Sequence, residues 1–216
     1  PCRRDLSAID GLSCLLFSKK FRRCKVLGRW HPLPPFNRMG EPIQQGLLMI
    51  SEQMQKALYK QLNDEFYSAY LYLAMSAYCA HIDFNGAANW LKQQYEEEQM
   101  HATKIYNYLI EQGAHVVLKE IPQPPSEFGK ILDVFKASLA HEQAMTAKLN
   151  NLSDQALKEK DHATYNLLQW FVNEQVEEES TVGEIISKLK LVKEDGYGLL
   201  MIDNELGSRV APKAVV

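Results

Sequence analysis

Glu65 falls among Leu62, Phe66 and Ala69; Glu98 and His101 stand three residues apart; Glu142 lies between Leu139 and Met145; and Glu178 follows Phe171 by two helical turns. Each acid therefore interrupts or adjoins a stripe that should be apolar. A single Glu in such a place belongs to a solvated face. One acid on each of four segments, with a His one turn from one of them, asks for a different account. Carboxylates gathered in an apolar interior desolvate and repel one another, at a cost on the order of several kcal/mol each unless they are protonated or compensated. Two divalent cations neutralise four carboxylates in number. Oxygen-rich ligands with one imidazole suit iron or manganese better than a thiolate-seeking metal; zinc also fits, and iron with open positions permits oxygen chemistry.

Such a site needs elements that bring these residues to one level. From Ser51, Leu58, Leu62, Phe66, Ala69, Leu73 and Ala77 recur at threes and fours, which predicts an amphipathic helix capped by Ser51 and running to about His81. The stretch from Ile82 to Gly86 interrupts it. A second helix runs from about Ala87 to Gln112 on Trp90, Leu91, Tyr95, Ile105 and Leu109, and Gly113 stops it. Ala114 to Pro125, with Pro122, Pro124 and Pro125, is too long for a tight hairpin and reads as a crossover. A third helix opens at Ser126-Glu127 and runs through Ile131, Leu132, Phe135, Leu139 and Leu149 to about Glu159, with a bend expected near Ser153-Asp154. After a break at Lys160-Asp161, a fourth spans about His162 to Leu191 on Leu167, Leu168, Phe171, Val172, Val176, Ile185 and Leu189. Leu199 to Leu206 forms a short fifth. No strand pattern competes, so the fold class is all-α, and helices of roughly 28 residues are about 40 Å long. Four antiparallel helices of similar length bring their midpoints, and with them the five residues, together.

Charge divides the chain. Residues 1–48 hold nine Lys/Arg against three Asp/Glu, whereas residues 49–216 hold fifteen against twenty-four. Cys2, Cys14 and Cys24 lie in the first part and Cys79 alone in the second, with no metal-ribbon or CxxC spacing. A single Cys in the body fits a reducing compartment. No run approaches the roughly 18 apolar residues of a membrane span, and Leu12 to Phe17 is too short and too broken for a signal core. The head shows no sustained period, and His31-Pro32-Leu33-Pro34-Pro35 would break any. Residues 1–48 therefore read as a disordered basic extension, or as sequence upstream of a natural start at Met49-Ile50-Ser51-Glu52, with a targeting peptide as the alternative. The cluster Lys19, Lys20, Arg22, Arg23 and Lys25 would suit an anionic partner, but nucleic acid is not the expected one.

Four stretches carry a family resemblance: Leu62-Asn63-Asp64-Glu65-Phe66-Tyr67-Ser68-Ala69-Tyr70-Leu71-Tyr72, Glu96-Glu97-Glu98-Gln99-Met100-His101, His141-Glu142-Gln143, and Gln169 through Glu179 with Glu174, Gln175, Glu177 and Glu178. In this order and spacing, over essentially all of residues 49–216, they resemble the non-haem ferritins of bacteria. The resemblance implies a ferritin-like up-down-down-up four-helix bundle with one long crossover and a short fifth helix. It implies a di-iron centre with Glu65, Glu98 and His101 on the first iron, and bridging Glu98 with Glu142 and Glu178 on the second. It further implies a third iron site of Glu97, Glu174 and Glu177 with Glu178, a tyrosine beside the irons at Tyr72, and Gln175 next to the ligands.

Departures narrow the choice. A second ExxH would need His at 181, where Thr181 stands, which argues against bacterioferritins and di-iron oxidases; Gln99 replaces their haem-binding Met, so no haem is expected. Rubrerythrins carry a Cys-pair module absent here. The implied activity is that of a cytoplasmic ferroxidase, in which Fe(II) is oxidised by oxygen or hydrogen peroxide and stored as a ferric mineral inside a homo-oligomer of 24 subunits, with no membrane partner. Leu199 to Ile202 is then expected between subunits. A peroxide-scavenging di-iron oxidase without storage is the alternative; a metal-free helical interaction protein and a nucleic-acid-binding storage protein are further rivals. His141 reads as a polar neighbour of the site, Tyr72 as a redox or merely core tyrosine, and Cys79 as a small buried hydrophobe.

Overall fold

Five helices follow residue 50 in the computed structural model, which describes residues 23–26, 29–32 and 50–210. They are α1 (Glu52–His81), α2 (Asn85–Glu111), α3 (Ile131–Glu159), α4 (His162–Val192) and α5 (Gly196–Gly207). Their ends have local causes. The Ser51 hydroxyl accepts the Met54 N–H at 2.9 Å, as the sequence suggests. Lys160, left-handed at φ 58, ends α3, and the Asp161 carboxylate accepts the Thr164 N–H at 3.0 Å to open α4. Helix α2 has no cap of its own. Instead the N–H groups of Gly86 and Ala87 donate to the Asp203 carboxylate of α5 at 3.0 and 2.8 Å. Glycine is required at that contact, since a Cβ on Gly86 would stand 1.7 Å from the Asp203 carbonyl oxygen.

One expectation about α3 needs correcting. Ser126 does not cap it, because Gly129 sits at φ 81 and breaks helical continuity, and the helix starts at Ile131. Helical hydrogen bonding runs unbroken through Ser153 and Asp154, where a bend was expected.

Side-chain pairs fix the topology. Short connections make α1–α2 and α3–α4 hairpins. Across α1 and α3, Tyr72 meets Ser138, Ser68 meets His141, and Asp64 meets Lys148, so numbers rise on one helix as they fall on the other. Helix α1 is therefore antiparallel to both α2 and α3, which gives the up-down-down-up order. The crossover climbs along α1: the Tyr59 hydroxyl donates to the His115 carbonyl, Asn63 bonds the backbone of Lys119 and Glu120, and the Tyr78 hydroxyl donates to the Gly129 carbonyl.

Two apolar clusters fill the bundle. One gathers Leu71, Met75, Trp90, Leu91, Phe135, Val182 and Ile186 with Ile202 and Leu206 of α5. The other gathers Met54, Leu58, Leu62, Ile105, Leu109, Leu149, Leu168 and Phe171. Ile202 is thus buried on its own bundle, while Leu200 and Met201 remain exposed. Leu73, Ala77 and Val176 also face outward, against the apolar stripes drawn from sequence. Among the described residues no helix is long and apolar enough to cross a membrane.

Contacts separate Pro1–Gly46 from Leu47–Val216. In the first unit β1 (Arg23–Val26) pairs antiparallel with β2 (Arg29–Pro32), Cys24 opposite His31. The head was expected to hold no strand. Four-residue strands offer too few alternations to register as a period, and Pro32, which has no N–H to donate, is the last residue of the second, an edge strand that tolerates it. The expected disorder of the head, the start at Met49, the Leu12 to Phe17 run and most of the basic cluster lie outside the described residues.

Candidate metal centre

Between the two apolar clusters the bundle carries a buried polar layer. Helix α1 contributes Gln61, Glu65, Ser68 and Tyr72; α2 contributes Gln94, Glu98 and His101; α3 contributes Ser138 and Glu142; α4 contributes Gln175 and Glu178. Glu65, Glu98, His101, Glu142 and Glu178 are each no more than 7% exposed, so water cannot solvate their charges. One ligand atom each from Glu65, Glu98 and His101 lie within 4.8 Å of one another. Nδ1 of His101 is 3.4 Å from Glu98 Oε2, and its ring is wedged edge-on by Trp170 and Phe171 at 5.4 and 5.8 Å.

Glu142 and Glu178 adjoin this trio without belonging to it. Tyr72 donates to Glu142 Oε1 and Gln175 Nε2 to Glu142 Oε2 at 3.0 Å. Gln94 Nε2 donates to Glu178 Oε2 at 2.5 Å, and Gln61 Nε2 to Glu65 Oε1 at 2.9 Å. The partners of the acids are mostly neutral amides and a phenol, which orient oxygens without cancelling charge. Burial pushes the Glu98 and Glu178 carboxyls well above the ordinary range, with the charges of neighbouring acids adding to it. Burial also raises Glu65, opposed by His101, and raises the Tyr72 hydroxyl, with Glu142 adding. Burial thus disfavours the charged form of these carboxyls in the absence of a cation, and a set of hard oxygens with one imidazole fits iron(II).

Among the described residues Glu97, Glu174 and Glu177, expected with Glu178 at a third site, do not close into a comparable group. Glu97 is partly buried, Glu174 intermediate and Glu177 exposed. Burial raises Glu97, Arg209 opposes, and the charges of Glu174 and Glu177 raise it further, so all three share one neighbourhood. Arg209 Nη2 sits 2.7 Å from Glu97 Oε2. His141 is a neighbour, not a member, of the layer: its Nε2 is 2.7 Å from the Ser68 hydroxyl, and burial lowers its pKa. Cys79 is buried, its thiol pushed up to about 12 by burial and Asp203.

Sequence reading missed Gln61, Gln94 and Arg209. The first two had a signal: each stands four residues before a site glutamate on the same helix face, Gln61 before Glu65 and Gln94 before Glu98. Arg209 had none, since its contacts span more than a hundred residues.

Comparison with known proteins agrees with this geometry. The Ferritin-like domain matches residues 55–192. Proteins named bacterial non-heme ferritin from Staphylococcus haemolyticus and Staphylococcus aureus are 44% and 42% identical over 161 residues, covering 74% of this chain and 97% of theirs. Among solved structures, an engineered closed form of the Archaeoglobus fulgidus ferritin superposes with a TM-score of 0.74 at 45% identity, over 76% of this chain and 99% of that one. The open-pore ferritin of the same archaeon gives 0.74 at 45% identity, over 74% and 98%. With the domain matched across most of the chain and relatives matched along nearly their whole length, this chain belongs to the ferritin family.

Proposed function

We propose that this chain is the subunit of an iron-storage ferritin and works as a ferroxidase at the mid-bundle layer. The convergence of Glu65, Glu98 and His101, buried and within 4.8 Å, carries the proposal. Iron(II) is the substrate. Glu65, Glu98 and His101 hold one ion, and Glu98, as the bridge, with Glu142 and Glu178 holds the second, so four carboxylates meet four positive charges. Glu98 and Glu178, whose charged forms burial disfavours, are stabilised as carboxylates by the arriving ions. Tyr72 keeps its proton, because burial and Glu142 raise its pKa, and so donates to Glu142 and holds that carboxylate in place. Oxygen or hydrogen peroxide takes the electrons, and the iron(III) formed leaves past Glu97, Glu174 and Glu177, a third site, to hydrolyse in a cavity. Leu200 and Met201, 55% and 53% exposed, are apolar surface suited to burial between copies in a shell of 24 subunits. The working compartment is the reducing cytoplasm. Every group named lies within residues 49–216, so residues 1–48 are dispensable for this chemistry.

Sizing the purified protein, with iron measured on the same peak and oxidation followed with either oxidant, tests the reading. A large assembly holding iron far beyond three ions per chain is expected. A small species that keeps only a few ions while consuming peroxide would replace storage by scavenging, and absence of iron uptake would remove the metal reading altogether.

A further inference from the structure

Beyond α5 the chain lies back along α2. Asp203 receives the first N–H groups of α2, and Asn89 Nδ2 donates to the carbonyls of Gly207 and Arg209 at 3.3 and 3.1 Å. The segment so anchored delivers the Arg209 guanidinium across the Trp90 ring, 4.4 Å from its centroid. There Nη1 donates to Gln94 Oε1 at 2.6 Å and Nη2 to Glu97 Oε2 at 2.7 Å. A guanidinium offers only donors, so it fixes the Gln94 amide with its oxygen outward and its NH2 toward Glu178 Oε2, 2.5 Å away. One tethered cation therefore touches a carboxylate of the outer group and orients a carboxylate of the inner one.

We propose that Arg209 is the built-in counter-cation of the outer carboxylates: it occupies Glu97 in competition with a divalent metal ion, keeps the affinity of the outer site low, and positions Glu178 through Gln94. The inference rests on the reading of Glu97 as an outer ligand and Glu178 as an inner one. A metal ion at Glu97, Glu174 and Glu177 must either displace the guanidinium or stand beside it. Arginine cannot shed its charge to make room. The Arg209 and Glu97 side chains are only 22% and 15% exposed, so solvent screens their pairing incompletely. Because the arginine is held by its own backbone, it rebinds whenever the ion leaves. The outer site then fills last and empties first, as suits a point of transit. Arg209 is a positioning residue and touches no reacting atom.

The test is an anaerobic calorimetric titration of the whole assembled protein with Co(II), for wild type, R209Q, R209K, E97Q and R209Q/E97Q. Arg209 lies past α5, and its one contact with the apolar clusters is the stacking of its guanidinium on Trp90, so R209K, which keeps a cation over that ring, controls for the loss of packing in R209Q. R209Q should tighten the weakest class of sites about tenfold, and R209K, which keeps the charge, should stay within about threefold of wild type. In the E97Q background R209Q should no longer tighten the outer class, and the change that remains should be confined to the inner class, through Gln94 and Glu178. An unchanged or weaker outer class in R209Q, or an equal gain without Glu97, overturns the inference while leaving the inner site standing. Absence of any Co(II) binding in wild type overturns it together with the metal reading on which it rests.

Discussion

The inner and outer carboxylates stand one helical turn or less apart in sequence, yet their surroundings differ in kind. Glu98 is buried among other acids, and apart from His101, itself one of the trio, the groups that bond the inner set are Gln61, Gln94, Gln175 and Tyr72, three amides and a phenol. Glu97, its neighbour in sequence, is partly buried and is met by a guanidinium. Neutral partners fix the direction of an oxygen and leave its charge unspent, whereas a protein cation spends it. A cluster that withholds its own counter-cation keeps its charge for an ion from outside; one that supplies it binds such an ion weakly. The burial that makes the inner cluster costly without metal is what gives it affinity with metal.

The largest expected effect comes from removing the inner bridge. Glu98→Ala takes one anionic ligand from both proposed ions, so rapid iron(II) oxidation should fall by about a hundredfold or more in stopped flow. The metal-free protein should melt no lower than wild type, since one of four crowded acids is gone. Retention of the fast phase would show that the two clusters do not divide the labour as proposed. A smaller effect is expected at the partner of Glu142. Tyr72→Phe removes a buried donor to Glu142 and leaves the Ser138 hydroxyl, 2.9 Å from the phenol, short of a partner. Such a loss is worth about 1–3 kcal/mol, which corresponds to roughly a tenfold slower oxidation and a lower melting temperature in the metal-free protein. A rate equal to wild type would reduce Tyr72 to a core residue.

Protons offer a third comparison. Glu65, Glu98 and Glu178 have raised pKa values in the metal-free fold, chiefly through burial. Between the ordinary carboxylate range and those raised values the folded chain binds more protons than the unfolded one. This contribution to stability is therefore full below the ordinary carboxylate pKa and is lost as pH rises through the raised range. Metal binding expels the same protons, so it should release protons at a pH above the ordinary carboxylate range, where unperturbed carboxyls have none to give. Titration calorimetry in two buffers of different ionisation enthalpy measures it, and binding with no proton release just above that range would contradict the raised values.

The long helices were legible because their ends carry local signals, Ser51, Gly113 and Lys160-Asp161 among them. The acids of the buried layer were legible because they stand where apolar residues belong. What misled was the stripe itself. Leu73, Ala77 and Val176 keep an apolar period but point outward, because at mid-bundle the true inner face runs through Glu65, Tyr72 and Ser76 on α1 and through Gln175 and Glu178 on α4. A buried polar layer looks, in sequence, like the outside of a helix. The start of α3 was misplaced for another reason: Ser126-Glu127 has the chemistry of a cap, and only the left-handed turn at Gly129 disqualifies it. Contacts such as Asp203 with Gly86, or Arg209 with Glu97, depend on where α5 lands, and no local pattern announces that.

The smallest effect, and the sharpest test of the comparison, belongs to Glu174. It sits one turn before Glu178 on α4, half-buried, beside Glu97 and Glu177 and away from the closed trio of Glu65, Glu98 and His101. Glu174→Ala adds no volume and strips no inner ligand, so its effect on the first rapid oxidation should be that of a substitution outside the core, about twofold or less. Its influence should appear later. With one outer carboxylate gone, an ion leaving the inner pair meets a poorer way out, and a second addition of iron(II) should be oxidised more slowly than the first. The ratio of iron oxidised to oxygen consumed should shift with it. Paired additions in stopped flow, with oxygen uptake recorded on the same samples, separate the two stages. Loss of the first phase as complete as in Glu98→Ala would mean that the outer carboxylates are part of one site with the inner ones, and the distinction between a cluster that keeps its charge and one that spends it would fail.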